Sequence, residues 1–246
     1  MRRDIFVVTA AYGRERLAKL GGQMNILPLI AAAGADGVEI RRELLGGRRL
    51  SALAKTIADN NLKACYSAPE PLFTEQGRVN PLLPSLLQET RELNARWIKL
   101  PSGNYHSPSQ LAALREIITP NAPALVIEND QTPYSRLANI IRLRDALQKQ
   151  RLSYALAFDM ANWLWVDESP ELAAENLRQD IGYIHVKAAT AYPGGYRAIA
   201  LDEAEPRWLQ LFKQLPATSP CGIEFPLEGH DLLAVTRHYI RVLREV

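Results

Sequence analysis

The stretch APALVIENDQTPYSRLANIIRLRDALQKQRLSYALAFD, residues 122–159, decides the fold. It opens on an apolar run, APALVIEN (122–129), short enough to be a buried strand. SRLANIIRLRDALQKQ (135–150) follows, with apolar residues at helical spacing and charges between them, the clearest amphipathic helix in the chain. LSYALAFD (152–159) closes the unit as a second apolar strand. Strands that are apolar along their whole length, alternating with helices, point to a parallel sheet covered on its faces by those helices.

The same alternation runs outward in both directions. Upstream, strands are expected at DIFVVTA (4–10), DGVEIRR (36–42), LKACYSA (62–68) and ARWIKLPSG (95–103). Between them lie a helix over 22–34 entered through Asn25 and Pro28, another over 51–61 capped by Ser51, and helices over 80–94 and 108–119. Downstream, PELAAENLR (170–178) forms a helix with Pro170 in its first turn, and strands follow at DIGYIHVKAA (180–189) and PCGIEFPLEG (220–229). Helices over 205–215 and 231–246 complete the set. Eight strand–helix units with no linker or low-complexity segment predict one closed (β/α)8 TIM barrel over residues 1–246. An open doubly wound sheet is the alternative, but no G-x-G-x-x-G follows the first strand.

The composition bounds the function. Lys and Arg number 29 against 27 Asp and Glu, so a formal charge of +2 supplies no general pull toward nucleic acid or an anionic membrane. No run reaches the roughly 18 apolar residues that span a bilayer, and the N-terminal apolar run is too short for a signal peptide. Cys65 and Cys221 have no metal-site spacing and read as buried free thiols in a cytoplasmic protein. Gly46-Gly47 before Arg48-Arg49 reads as a loop without the context of a phosphate motif.

In such a barrel the chemistry sits at the C-terminal strand ends. Those ends carry Glu39, Glu128, Asp159, His185 and Glu224, each in or beside an apolar run where an isolated charge is costly. Singly, each acid reads as a surface or salt-bridged group and His185 as a satisfied core histidine. Together, three carboxylates and an imidazole from four consecutive strands make a divalent-metal set, suited to Mn²⁺, Mg²⁺ or Co²⁺ and admitting Zn²⁺.

The stretches GADGVEIRR, LVIENDQTP, AFDMANW, YIHVKAA and CGIEFPLEG give the chain a likeness that spans nearly its whole length. It resembles the xylose isomerase-like barrels, the superfamily of sugar and sugar-phosphate isomerases and epimerases that also holds the AP endonuclease type 2 proteins. The resemblance implies one divalent ion held by Glu128, Asp159, His185 and Glu224, with Glu128 and Glu224 also serving as the acid/base pair. It implies a small carbohydrate substrate with Glu39 at a substrate hydroxyl, and such barrels often pair into dimers. The three-zinc, histidine-rich nuclease branch is not expected, because the third and fourth strands end CYSA and LPSG and His106 lies further out as a rim residue.

The epimerase pattern is incomplete. Asn162 stands where a substrate-binding histidine is common, and the loop KAATAYPGGYRAI lacks the usual arginine, leaving Arg197 or Lys187 to take its place. Lys187 either meets a substrate anion or pairs with Glu128 or Asp159. Trp163 and Trp165 are pocket walls or loop anchors. One of Arg41 and Arg42 binds a phosphate or carboxylate, or the two pair with Glu43 or Asp36. The expected activity is metal-dependent isomerisation or epimerisation of a small keto sugar, sugar acid or sugar phosphate. The alternatives are an inosose-type dehydratase on the same site and a non-catalytic sugar-binding barrel.

Overall fold

The computed structural model describes residues 2–47 and 49–246, so Arg48 of the diglycine loop lies outside the described residues. Eight parallel strands close into a barrel: β1 (Ile5–Val8), β2 (Gly37–Arg41), β3 (Lys63–Ser67), β4 (Trp97–Pro101), β5 (Ala124–Glu128), β6 (Ala155–Asp159), β7 (Ile181–Val186) and, after a hairpin formed by β8 (Ala188–Tyr192) and β9 (Gly195–Ile199), β10 (Cys221–Ile223). β1 pairs with both β2 and β10, which shuts the sheet. The expected barrel and its eight strands are present.

Parity along the strands sets the layers. Phe6, Cys65, Trp97, Val126, Ala157 and Tyr183 form one buried cluster inside the barrel. Because side chains alternate, the residue two positions on points inward again. That step leads to Glu39 (from Gly37), Lys99, Glu128, Asp159, His185 and, just past β10, Glu224. An apolar floor therefore carries a charged layer directly above it. The outward-facing residues, among them Val38, Ile40, Ile98, Ile127, Phe158 and Ile184, join the larger core under the helices.

The helices are α1 (Arg14–Lys19), α2 (Leu27–Ala32), α3 (Leu50–Asp59), α4 (Leu83–Glu92), α5 (Gln110–Ile117), α6 (Leu137–Lys149), α7 (Pro170–Leu177), α8 (Arg207–Gln214) and α9 (Leu232–Glu245). Ser169 caps α7 by accepting from Leu172 N–H, with Pro170 at the first helical position, as expected. Ser51 caps nothing: α3 already begins at Leu50, and Ser51 is an exposed residue inside it. The helix expected over 22–34 is a 3-10 turn, Gln23–Ile26, leading into α2. No described helix is long and apolar enough to cross a membrane.

Candidate metal centre

Glu128 and Asp159 are the last residues of β5 and β6, His185 lies near the end of β7, and Glu224 follows β10. Strand register sets Asp159 level with His185, and His185 level with Gly222. One ligand atom from each of Glu128, Asp159, His185 and Glu224 lies within 4.8 Å of all the others. Asp159 and His185 are fully buried, Glu128 nearly so, and Glu224 is half-buried at the rim.

Local hydrogen bonds decide which atoms face the centre. Asp159 Oδ1 accepts from the N–H groups of Ala161 and Asn162, both at 2.9 Å, which leaves Oδ2 for the interior. Asn129 grips the same residue from β5. Its Oδ1 accepts Asp159 N–H at 2.8 Å and its Nδ2 donates to the Asp159 carbonyl at 3.1 Å. The Glu128-Asn129 pair thus supplies one ligand and the clamp for the next.

His185 Nε2 lies 2.8 Å from Glu39 Oε2 and, as the donor there, leaves Nδ1 to face the centre. Nδ1 is 2.8 Å from Glu128 Oε1 and 2.8 Å from Glu224 Oε2, yet it is buried and aligned for a hydrogen bond with neither. Three donor atoms that converge without bonding to one another are disposed as ligands are around a shared cation. The residues fit a divalent ion, with three hard carboxylate oxygens and one imidazole nitrogen.

Three fixed cations share this layer with four carboxylates. Lys99 Nζ is 2.5 Å from Glu128 Oε2 and 3.4 Å from Glu39 Oε1. Lys187 Nζ lies 3.2 Å from Asp159 Oδ2, 3.4 Å from Glu224 Oε2 and 3.1 Å from Asn162 Oδ1. Arg41 Nη1 donates to Glu224 Oε1 at 3.0 Å and stands 3.7 Å from Glu39 Oε1. Burial opposes charge on every acid here. For Glu39 the neighbours His185 and Lys99 outweigh it, and for Glu128 Lys99 and His185 do, so both sit below the usual carboxylate range. Glu224 is held well below by His185 and Lys187. Asp159 goes the other way: burial pushes it up to about 7, with Lys187 opposing and Glu224 adding to the rise.

Of the residues singled out from the sequence, Glu128, Asp159, His185, Glu224, Lys187 and Asn162 meet here. Glu39 and Trp163 lie elsewhere than expected. Glu39 is fully buried with its Oε2 2.8 Å from His185 Nε2, beneath the level at which a substrate hydroxyl could meet it. Trp163 is 1% exposed, its ring 5.5 Å from Phe158 and beside Ile127, Ile140 and Leu177, packed between barrel and helices. Trp165 is the indole near the centre, 5.9 Å from Lys187 Nζ, with the Tyr196 ring tilted against it at 5.6 Å. His106 is an exposed loop residue lying over Gly77, and Arg197 is exposed on β9 opposite Thr190. Arg42 pairs with Glu89 and Glu70 in the outer layer, whereas Arg41 bonds Glu43 and Glu224. Lys99 belongs to this layer as well, and its parity with Trp97 in WIKLP is the sequence signal that marks it as inward-facing.

No family model matches the sequence, and no curated protein matches it. Solved structures do match in fold. A xylose isomerase domain-containing protein of Salmonella typhimurium superposes with a TM-score of 0.71 at 10% identity, over 98% of this chain and 96% of that one. A probable 3-DHS dehydratase of Bacillus anthracis gives 0.71 at 14% identity, over 99% and 98%. A 3-keto-D-glucoside 4-epimerase of E. coli gives 0.68 at 16% identity, over the full length of both. The chain has the fold of the xylose isomerase-like TIM barrels.

Proposed function

We propose that this protein is a divalent-metal-dependent isomerase or epimerase of a small keto sugar, sugar acid or sugar phosphate. The convergence of Glu128, Asp159, His185 and Glu224 at the C-terminal barrel mouth carries the reading. Enzymes of the same fold include a 3-keto-D-glucoside 4-epimerase and a D-allulose 3-epimerase, which supports it. Glu128, Asp159, His185 and Glu224 would hold the divalent cation, which would supply Lewis-acid stabilisation of the negative charge that develops on substrate oxygens when a proton alpha to a carbonyl is removed.

The protein's own groups do the rest. Glu128 and Glu224 flank His185 Nδ1 from two strands and are the proposed proton carriers. They are not equivalent. Glu128 has one oxygen on Lys99, deep in the barrel, whereas Glu224 stands at the rim between Arg41 and Lys187. Lys187 and Asn162, bonded to each other beside Asp159, offer an ammonium and an amide to substrate oxygens. The buried floor beneath them excludes water from that side. The two buried free thiols suit a cytoplasmic enzyme.

A rim ammonium next to the acids also favours a second reading, dehydration, in which Lys187 donates to a departing β-hydroxyl. Metal content of the purified protein separates these enzymatic readings from a sugar-binding barrel. About one Mn²⁺, Mg²⁺, Co²⁺ or Zn²⁺ per chain, lost in Glu128→Gln and Asp159→Asn, is the expected result. Ketoses and keto acids incubated in D2O should then exchange a carbon-bound proton, and loss of water from the product would mark the dehydratase. No bound ion after dialysis against any of the four sinks the metal reading.

A further inference from the structure

Lys99 is among the most buried charges in the molecule, 1% exposed, on the inward face of β4. An ammonium in that position is costly unless it is closely paired. Its partners are two glutamates, each of which uses one oxygen for Lys99 and the other for His185. Glu128 offers Oε2 to Lys99 at 2.5 Å and Oε1 to His185 Nδ1 at 2.8 Å. Glu39 places Oε1 at 3.4 Å from Lys99 and Oε2 at 2.8 Å from His185 Nε2. Lys99 thus lies between two buried carboxylates whose other oxygens each stand 2.8 Å from a nitrogen of His185, a contact set that spans β2, β4, β5 and β7. Turning Glu128 about its last bond would take from Lys99 the shorter of its two ion pairs.

We propose that Lys99 is a built-in countercharge of the metal centre, which restricts Glu128 to a single ligating oxygen and holds down the affinity for a divalent ion. The inference rests on the metal reading above and concerns residues which that reading does not need. Two effects act in one direction. While Lys99 occupies Oε2, Glu128 cannot chelate through both oxygens. A fixed positive charge one carboxylate away from the ion also repels it, and the low effective dielectric of a protein interior screens that repulsion far less than water would. Against them stands the ordering of Glu128 that Lys99 provides, which on its own would strengthen binding. The repulsion is the larger effect, so removing Lys99 should tighten ion binding. A lysine serving only to balance charge during folding would leave ion affinity where it is.

The test is a titration of Mn²⁺, followed by loss of the free-ion EPR signal, into the wild type and the Lys99→Met, Lys99→Gln and Lys99→Arg variants. Lys99→Met should bind at least tenfold more tightly, and Lys99→Arg, which keeps the charge, should stay close to the wild type. Lys99→Gln has the same neutral charge with a hydrogen-bond donor retained, and stands in should Lys99→Met fail to fold. Unchanged or weaker Mn²⁺ binding in a folded neutral variant overturns the proposal and leaves the metal centre standing. Absence of Mn²⁺ binding by the wild type removes the metal reading itself.

Discussion

His185 owes its ligand-ready nitrogen to Glu39. With Nε2 committed to that fully buried carboxylate at 2.8 Å, the ring can turn only Nδ1 toward the strand ends. Glu39→Gln keeps the shape but replaces the anion with an amide, weakening the bond that orients the ring. Mn²⁺ affinity should fall by roughly 10–100-fold, the range seen when such outer partners of a ligand are removed. Calorimetric titration of the variant measures it, and an affinity within twofold of wild type would refute this role. The four converging residues were legible because each breaks an apolar run at a strand end. Glu39 breaks its run in the same way, and sequence had no means to tell a group beneath the histidine from one facing a substrate. That distinction depends on height in the barrel.

At the scale of the strands, the charged layer needs a floor that fits beneath it, and glycine makes part of that fit. A β-carbon at Gly222 would stand 2.2 Å from the Tyr183 hydroxyl and 3.4 Å from His185 Cδ2. Gly222→Ala should therefore destabilise the protein by about 1–3 kcal/mol, the usual cost of overpacking a core. Adding Tyr183→Phe removes the nearest atom and should recover at least half of the loss. Urea unfolding of the two single variants and the double variant measures the coupling, and strictly additive effects would rule out this contact as the cause. The stretch KAATAYPGGYRAI, expected as a loop, carries the β8–β9 hairpin, whose sequence signal is a Pro-Gly-Gly turn between two strand-forming runs. The six residues of α1 carry too little periodicity to be read as a helix.

Across the whole molecule, closure depends on fastening the last helix to the first strand. Asp36, just before β2, accepts Ile5 N–H at 2.8 Å through Oδ2, which also receives Arg244 from α9. Arg2 reaches Oδ1 at 3.3 Å. Burial works against this carboxylate, but the Ile5 amide and Arg244 outweigh it and hold its pKa below the usual range. A depressed folded-state pKa means stability that is fully present above the unfolded value, about 4 for an aspartate, and is lost as pH falls through the folded value. Asp36→Asn should accordingly cost about 1–2 kcal/mol near pH 7, in line with a hydrogen bond to a charged group. Its deficit should shrink as pH falls below about 4. Denaturant midpoints from pH 7 to pH 3 report both, and a deficit that stays constant would exclude ionisation of Asp36 as the origin.

The sequence by itself determined the barrel and the four residues at its mouth. Apolar runs alternating with amphipathic ones can bury their surfaces in few ways, and a charge at the end of a buried strand stands out against its neighbours. Only the tertiary structure decided what surrounds those four. Trp163 left the list of pocket walls for the interlayer core, Arg41 joined Glu224, and Lys99 came to lie between Glu39 and Glu128. The reason is physical. Strand parity says that a side chain points inward, but its partners come from strands distant in sequence, brought level by barrel closure and register.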